Sequence, residues 1–189
     1  HPTSIELQDY GGEIGTQEGQ LKLYVSDQMI NRGRKGGVRC VPLWFGIWKN
    51  GGMDYVPALV KADRLRFPHL LNLNGERVND LSSNSKTNME ADRKAFSMLM
   101  KHIREIDEAD RTIIMVQVEN EPGAFGSVRD FSAESTNLFN GPVPNSLVNG
   151  LKKTSGTWKE VFGKRADEFF NAYYMATYIN EVTKAEKEA

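Results

Sequence analysis

Two glutamates and an asparagine stand at the end of the most apolar, β-branched stretch of the sequence. Residues 112–118, Thr-Ile-Ile-Met-Val-Gln-Val, are followed directly by Glu119, Asn120 and Glu121, and a Pro-Gly step comes next. A run of this type is typical of a strand buried on both faces of a parallel sheet, and the Pro-Gly step ends it. Such a strand delivers two carboxylates and an amide to the carboxyl edge of the sheet, where α/β barrels place catalytic groups.

Glu121 is the first candidate for general acid–base chemistry. A carboxyl group at the mouth of a barrel is partly desolvated, which raises its pKa and suits it to protonate a leaving group. Side chains alternate along an extended strand, so we expect Glu119 and Glu121 to share one face and Asn120 to point away. The alternative is structural, with one glutamate capping a neighbouring helix and the other pairing with an arginine.

Three aromatic residues form a second group of candidates. Trp44, Trp48 and Tyr55 lie at or just beyond the end of a second apolar stretch, residues 38–44. If the two predicted strands are neighbours, these rings approach the same edge as Glu121, where aromatic faces suit the C–H faces of a sugar. The alternative for Trp44 is a place in the core, and we expect Trp48 to be the site residue of the two.

Other catalytic chemistries find little support in the sequence. His1, His69 and His102 lie far apart, so no pair has the spacing of metal ligands, and we expect neither metal nor cofactor. There is no G-x-S-x-G elbow, and Cys40 lies inside a predicted strand, where a buried structural thiol is the ordinary role. Residues 10–19 are rich in glycine but match neither phosphate-binding pattern, so we interpret them as a loop.

The elements that must position these residues alternate between strands and helices, which predicts βαβ units and a parallel sheet. Capping-box spacing at residues 87–90 and 157–160 marks two helix starts. Between residues 45 and 85 we expect a loop to residue 55, a short helix at 56–61 and a turn at 73–76. The predicted strands and helices cover residues 4–7, 24–35, 38–44, 87–106, 112–118 and a long aromatic-faced segment from about 165 onward.

Composition places the chain among globular proteins of one domain. It has 189 residues, 39% of them hydrophobic and 26% charged, with a net charge of -1. No long basic run is present and the apolar runs are too short to span a bilayer, so we expect no nucleic-acid or membrane partner. The N-terminal residues show neither a basic start nor an apolar signal core, which leaves the compartment open.

The segment 116–123, Val-Gln-Val-Glu-Asn-Glu-Pro-Gly, resembles the strand-four motif of retaining glycoside hydrolases of clan A. Its part 117–121 is most similar to the β-galactosidases of family 35 and the related family 42. The resemblance covers roughly residues 13–183. Further similar segments are residues 43–51, 126–131, 138–144 and 156–163.

This resemblance implies a (β/α)8 barrel that hydrolyses terminal β-galactosides with retention of configuration. By motif position, Glu121 would be the acid/base, and Asn120 would hydrogen-bond the sugar hydroxyl next to the reacting carbon. The expected partner is therefore a β-galactoside. The predicted substrate-binding residues are Asn120, Glu119, Trp48, Trp44 and Tyr55.

Two departures separate the sequence from the family pattern. Residues 15–19 and 21–22 stand where the family has an acidic-Pro step, a Glu-Gly pair and an aromatic-Asp pair, so residues 1–20 are degenerate or irregular. A complete barrel also needs about 200 residues and eight strands, and nothing after Glu121 offers the context of the nucleophilic glutamate at the end of strand seven. We therefore expect residues 1–189 to form one partial barrel domain that associates through open edges.

Two interpretations compete with a partial catalytic domain. One is a non-catalytic carbohydrate-binding or interaction module that keeps the aromatic mouth, and the other is a degenerate gene product without function. Binding without turnover would favour the module, and a second strand-end glutamate in the parent gene would favour the enzyme. For the structure, we expect residues 38–44 and 112–118 to be parallel neighbours, with Trp48 and Glu121 facing one cleft.

Overall fold

A computed structural model of the protein describes residues 4–10, 24–49, 52–53, 55–123 and 126–188, with the backbone alone at residues 4–10, 24–26 and 186–188. The strands of this part of the chain are β1 Ser4–Tyr10, β2 Arg39–Lys49, β3 His69–Leu71, β4 Arg77–Leu81 and β5 Gln117–Asn120. Its helices are α1 Tyr24–Gly36, α2 Ala58–Ala62, α3 Lys86–Asp107, α4 Ala133–Asn140, α5 Asn145–Gly150, α6 Trp158–Phe162 and α7 Ala166–Glu188, with a 3-10 turn at Gly163–Arg165.

The fold is mixed α/β and is built on a small parallel sheet with the strand order β1-β2-β5. Helix α1 connects β1 to β2, and α3 lies in the connection from β2 to β5. Leu43 of β2 pairs with Gln117 of β5 in parallel register. The predicted parallel pairing of residues 38–44 with 112–118 is confirmed, and so is the short strand predicted at residues 4–7. The glycine-rich loop and the degenerate N-terminal positions predicted between residues 11 and 22 lie outside the described residues.

Strand β2 is longer than its sequence indicates. Pro42 lies inside it, opposite Leu7 of β1, and the strand continues to Lys49. The predicted loop is therefore wrong for residues 45–49. The physical reason is burial, because Phe45, Ile47 and Trp48 are only 1%, 4% and 3% exposed. A strand buried in this way keeps its apolar character without the period of two that marks an exposed strand.

Strand β5 is shorter than predicted and lies at the edge of the described sheet. Residues 112–116 contribute a single bridge, from Ile113 to Cys40, before the regular ladder begins at Gln117. Ile114 and Met115 are 58% and 61% exposed. The expectation that this strand is buried on both faces is therefore wrong for its first half, where no element of the described chain covers the outer side.

A hairpin that the sequence analysis did not anticipate lies between β2 and α3. Strands β3 and β4 are antiparallel, and the turn predicted at residues 73–76 joins them. Asn72 Oδ1 shapes this turn by accepting hydrogen bonds from the backbone N–H groups of Asn74, at 3.0 Å, and Glu76, at 2.9 Å. An asparagine that bonds its own backbone two residues on is a common way to build a tight turn.

Helix α3 supplies the polar residues that later matter for the site. It begins at Lys86, and Ser85 caps it by accepting a hydrogen bond from the N–H of Asn88. The predicted capping box at residues 87–90 is wrong because Thr87 already lies in the first turn. The buried side of this helix follows the spacing of three and four residues that places side chains on one face. Its members are Asn88, Asp92, Phe96, Leu99, Ile103 and Asp107.

The core forms where α3 and α7 pack against the sheet. Tyr178 and Val182 of α7 are 2% and 0% exposed and lie in the same cluster as Phe96 and Leu99 of α3. A second apolar cluster surrounds Trp158, which is 0% exposed, and joins α4, α5, α6 and the start of α7. The aromatic face predicted for the last helix therefore packs into the core, and the predicted capping box at residues 157–160 is confirmed.

Two adjacent buried residues, Arg129 and Asp130, hold the loop after β5 to the β3–β4 hairpin and to the helices. Asp130, 1% exposed, accepts hydrogen bonds from the N–H of Leu71 at 3.1 Å, from Ser82 Oγ at 2.5 Å and from the N–H of Ser132 at 2.8 Å. Arg129, 5% exposed, pairs with Asp167 of α7. These contacts tie together the segments that flank the carboxyl edge of the sheet.

Replacing Asp130 with alanine is expected to lower the free energy of unfolding by about 3–4 kcal/mol, because several buried donors lose their acceptor at once. Urea denaturation followed by circular dichroism measures this change. The matched control is Glu105→Ala on the exposed side of α3, for which we expect a change within about 0.5 kcal/mol. Equal effects of the two substitutions would contradict the role of Asp130.

Candidate active site

The carboxyl end of β5 turns out of the sheet through two residues with left-handed backbone conformations. The φ angle is 65° at Glu119 and 52° at Glu121. Residues with a Cβ rarely adopt this conformation, which costs about 1 kcal/mol each and often marks functional sites. Because side chains alternate only along an extended chain, the expectation that Glu119 and Glu121 share a face is wrong. Glu119 is 3% exposed, Asn120 is half-buried and Glu121 is exposed.

Glu119 clamps the end of β5 to the end of β2. Its Oε1 accepts a hydrogen bond from the N–H of Ile47 at 3.1 Å, and its Oε2 accepts one from the N–H of Trp48 at 2.9 Å. Next to it, Gln117 Nε2 donates to the carbonyl oxygen of Glu119 and to Asn120 Oδ1, both at 3.2 Å. These bonds replace the regular ladder at the point where the register between the two strands shifts.

Asp92 of α3 lies against Glu119 inside the core. Its Oδ1 accepts a hydrogen bond from Trp44 Nε1 at 2.8 Å. The carboxyl oxygens of both acids meet above Gly46 of β2: an added Cβ there would lie 2.5 Å from Asp92 Oδ1 and closer still to Asp92 Oδ2 and Glu119 Oε1. Position 46 therefore has room for hydrogen alone, and the two acids fill the space that a side chain would need.

Burial raises the pKa of both acids. The pKa of Glu119 lies well above its usual 4.5, chiefly because the carboxyl is cut off from water and then because the Asp92 charge is close. Burial also raises the pKa of Asp92, although the neighbouring polar groups of Glu119, Trp44 and Tyr178 oppose this effect. The Tyr178 hydroxyl, 3.2 Å from the carbonyl oxygen of Asn88, has a pKa raised well above 10.0 by burial and then by the two acids.

The predicted aromatic candidates lie mostly inside the core. Trp44 is 2% exposed and tilts against Phe96, and Trp48 is 3% exposed and packs edge-on against Tyr178 at 5.2 Å. Tyr55 is half-buried, with its ring 5.8 Å from that of Phe45. The structure thus brings Trp44 to Asp92 and the backbone of Trp48 to Glu119. It does not place the Trp48 ring in an open cleft beside the exposed Glu121.

A groove begins directly after Glu121. It has a volume of about 430 Å³ and lies between the segment that leaves β5 and one face of α7. Glu168 contributes a carboxylate to its wall and pairs with Arg165 at 3.0 Å. The other lining residues are Pro122, Gly123, Val128, Asn171, Ala172, Met175, Ala176 and Ile179. This groove is large enough for a sugar ring, and Pro122 in its wall directly follows the exposed Glu121 in the chain.

Among the described residues, no group of three or more His, Cys, Asp or Glu side chains is arranged to hold a metal ion. None of the helices described is both long and apolar enough to cross a membrane.

Sequence reasoning missed three residues of the site, namely Asp92, Gly46 and Tyr178. A signal for Asp92 was present, because it lies four residues before Phe96 and seven before Leu99, on the apolar stripe of α3. A carboxylate on such a stripe must find a partner inside the core. Nothing comparable marks Gly46, whose role depends on contacts from two distant segments.

Comparisons with known proteins show a fold but no family. No family model matches the chain, and no curated protein matches it. Three solved structures of β-galactosidases are similar to it. That from the psychrophilic Marinomonas ef1 has 12% identity and a TM-score of 0.59, over 72% of this chain and 20% of that one. That from Bacillus circulans sp. alkalophilus has 13% identity and a TM-score of 0.58, over 97% of this chain and 30% of that one.

The third is the polyextremophilic β-galactosidase from the Antarctic haloarchaeon Halorubrum lacusprofundi, with 13% identity and a TM-score of 0.64, over 97% of this chain and 29% of that one. The chain therefore spans between 20% and 30% of the length of these three proteins. At this level of identity the likeness concerns the fold, and the described part of the chain has a β-galactosidase-like fold.

Proposed function

We propose that this chain is part of the catalytic barrel of a retaining glycoside hydrolase of the β-galactosidase type. The observation that carries this proposal is the end of β5, where a strand clamped to its neighbour delivers Asn120 and the exposed Glu121 to the carboxyl edge of a parallel sheet. The similarity of the fold to three β-galactosidases supports it. The motif resemblance to families 35 and 42 supports terminal β-galactosides as the substrate class.

In this proposal Glu121 is the acid/base. Its carboxyl protonates the glycosidic oxygen as the bond to the leaving group breaks, and in the second step its carboxylate removes a proton from the attacking water. Asn120 lies beside it and hydrogen-bonds the hydroxyl next to the reacting carbon. The exposed carboxyl of Glu121 and the adjoining groove make such an approach of a sugar feasible.

The nucleophile of this mechanism is a carboxylate other than Glu119. Retention requires two carboxyl groups about 5–5.5 Å apart, on opposite sides of the scissile bond. Glu119 is 3% exposed and accepts hydrogen bonds from two backbone N–H groups, so it is not free to attack a sugar. We propose that the nucleophilic glutamate comes from a segment other than residues 1–189, on a further strand of the barrel.

Positioning is the role we propose for the buried aromatic residues. The indole N–H of Trp44 donates to Asp92, and the backbone N–H of Trp48 donates to Glu119. Both residues therefore help to hold the end of β5 in place. Strand β5 lies at the edge of the described sheet, where a further strand of a (β/α)8 barrel would pair with it, and Ile114 and Met115 just before it are exposed. An open edge of this kind favours association of the chain with another polypeptide or with a second copy.

A non-catalytic carbohydrate-binding fragment is the second candidate. One observation favours it, namely that the other carboxylate of the motif, Glu119, is buried and committed to the backbone. This arrangement leaves Glu121 able to contact a sugar without a nucleophile from its own strand. Binding and turnover by residues 1–189 separate the two candidates.

Purified residues 1–189 are expected to bind a galactose-configured iminosugar weakly, with amide chemical-shift changes at Asn120 and Glu121, and not to hydrolyse an aryl β-galactoside. The Glu121→Ala variant should lose the binding, because the cationic sugar mimic loses its carboxylate partner. Glu134→Ala, an exposed position on α4, is the control. Binding that is unchanged in Glu121→Ala, or lacks preference for the galactose configuration, would contradict the proposed site.

Hydrolysis of the aryl β-galactoside by residues 1–189 would show where the nucleophile comes from. If residues 1–189 hydrolyse the aryl β-galactoside at a rate that follows the folded monomer and vanishes in Glu121→Ala, a second carboxylate of this chain completes the site. Glu168, in the wall of the groove, is then the first to replace. That outcome would overturn the assignment of the nucleophile to another segment.

A further inference from the structure

We propose that Asp92 and Glu119 share one proton as a buried carboxylic acid–carboxylate pair, and that this pair is the positioning device that fixes the end of β5. The shared proton follows from the structure of residues 1–189 alone. The consequence for the placement of Glu121 rests on the proposed function.

The described residues supply too few hydrogen-bond donors for two bare carboxylates at Asp92 and Glu119. Glu119 accepts from two backbone N–H groups, and Asp92 Oδ1 accepts from Trp44 Nε1. Asp92 Oδ2 is buried and has no donor among the described residues. The oxygens of the two acids meet above Gly46, where two bare carboxylates would face each other. A proton on Asp92 Oδ2 gives this oxygen a hydrogen bond to Glu119. It also removes the repulsion between the two carboxylates.

No cation of the described residues compensates the charge of the pair. Neither acid forms an ion pair or hydrogen bond with a basic side chain in the described part of the chain, and both are more than nine-tenths buried. The groups that face the pair are Trp44 from β2 and the neutral hydroxyl of Tyr178 from α7. Two unpaired charges in such surroundings are so costly that one group takes up a proton instead.

The pair connects three elements that meet at the strand end. Asp92 lies on α3, Gly46 and the two donating N–H groups lie on β2, and Glu119 ends β5. Because both Glu119 oxygens are held, its backbone is fixed in the left-handed conformation that turns the chain toward Glu121. Losing the shared proton would place two charges side by side and push Glu119 away from β2.

The sign of the pH dependence follows from the raised pKa values. Below pH 4.5, the usual pKa of a glutamate, the folded and unfolded chains both carry the proton. Between that value and the raised pKa of the folded state, the folded chain alone keeps it. As the pH rises through this window, the folding equilibrium constant falls by up to about tenfold per pH unit, and it levels off once the raised pKa is passed.

Two amide variants of residues 1–189 test the pair, because they differ in what the geometry allows. In Asp92→Asn, the amide oxygen still accepts from Trp44 and the amide NH₂ donates to Glu119, so the bonds persist without a titratable proton. In Glu119→Gln, the NH₂ group must face one of the two backbone N–H donors. We expect urea midpoints near the wild-type value for Asp92→Asn and strongly lowered midpoints for Glu119→Gln and Asp92→Ala.

The pH dependence of the folding constant distinguishes a shared proton from a merely structural contact. The ratio of the folding constant of Asp92→Asn to that of the wild type is expected to rise above pH 4.5. Asp107→Asn, at a buried aspartate of the same helix, is the matched control. Burial acts to raise the pKa of Asp107, but bonds from Ile113, Thr112 and Arg34 lower it overall, so its effect on stability has the opposite sign.

Infrared spectroscopy observes the proton directly. At neutral pH the wild type should show the carbonyl band of a protonated carboxylic acid, and Asp92→Asn, whose amide supplies the donor to the Glu119 carboxylate, should lack it. The proposal is overturned if that band is missing in the folded wild type. It is also overturned if Asp92→Asn is as damaging as Asp92→Ala, or if its pH series parallels the wild type. No sugar enters these measurements, so a failed sugar-binding test leaves them unaffected.

Discussion

Replacing Gly46 with alanine is expected to destabilise the fold by about 3–5 kcal/mol, because overpacking and the break-up of a buried acid pair act together. The added Cβ would lie 2.5 Å from Asp92 Oδ1 and closer to two further oxygens. Each of these oxygens belongs to a side chain that is buried in the core, so none of them can move aside into solvent. Urea denaturation of the variant measures the effect as a lowered midpoint.

The control for this substitution is Gly150→Ala at the end of α5. An added Cβ there meets nothing within 4 Å, so we expect no loss of stability and a small gain from helix propensity. A double-mutant cycle identifies the obstacle. Gly46→Ala should cost less in an Asp92→Ala background than in the wild type, because Asp92 supplies two of the three colliding oxygens. Additive effects would show that the collision lies elsewhere.

The parts of the fold that sequence predicts well are those whose signal is local. The apolar runs around residues 38–44 and 112–118 predict the neighbouring parallel strands. The capping box at 157–160 depends on two side chains and the backbone between them, and it is present. The capping box at 87–90 fails for an equally local reason, since Ser85 offers a cap two residues earlier and begins the helix there.

The site itself depends on contacts that no local pattern contains. The left-handed backbone of Glu119 arises because N–H groups more than 70 residues earlier bind its carboxylate. The residue type alone, a glutamate, does not indicate this conformation. Trp48 is an aromatic residue beyond a predicted strand, which suggested a sugar platform. Its burial is decided by Tyr178, on a helix that returns from the far end of the chain. Exposure of Glu121 is likewise a result of the turn and not of strand alternation.

In an enzyme that contains this segment, Glu121→Gln is expected to lower kcat/KM for an alkyl or glycosyl β-galactoside by about 10³-fold, the range of a lost general acid. A poor leaving group departs only with a proton, and the amide cannot supply one. Glutamine keeps the size of the side chain, so the turn at the strand end should persist. The same substitution should slow the first step far less for an activated aryl β-galactoside, whose leaving group needs little protonation.

Pre-steady-state kinetics separate these effects. With the aryl substrate, Glu121→Gln should give a burst of released phenol followed by slow turnover, because the second step still needs the carboxylate as a base to activate water. The control is Glu168→Gln, which removes the carboxylate in the wall of the groove and should preserve the difference between substrates. If Glu121→Gln slows the first step equally for the two substrate types, Glu121 acts in binding and not as the acid.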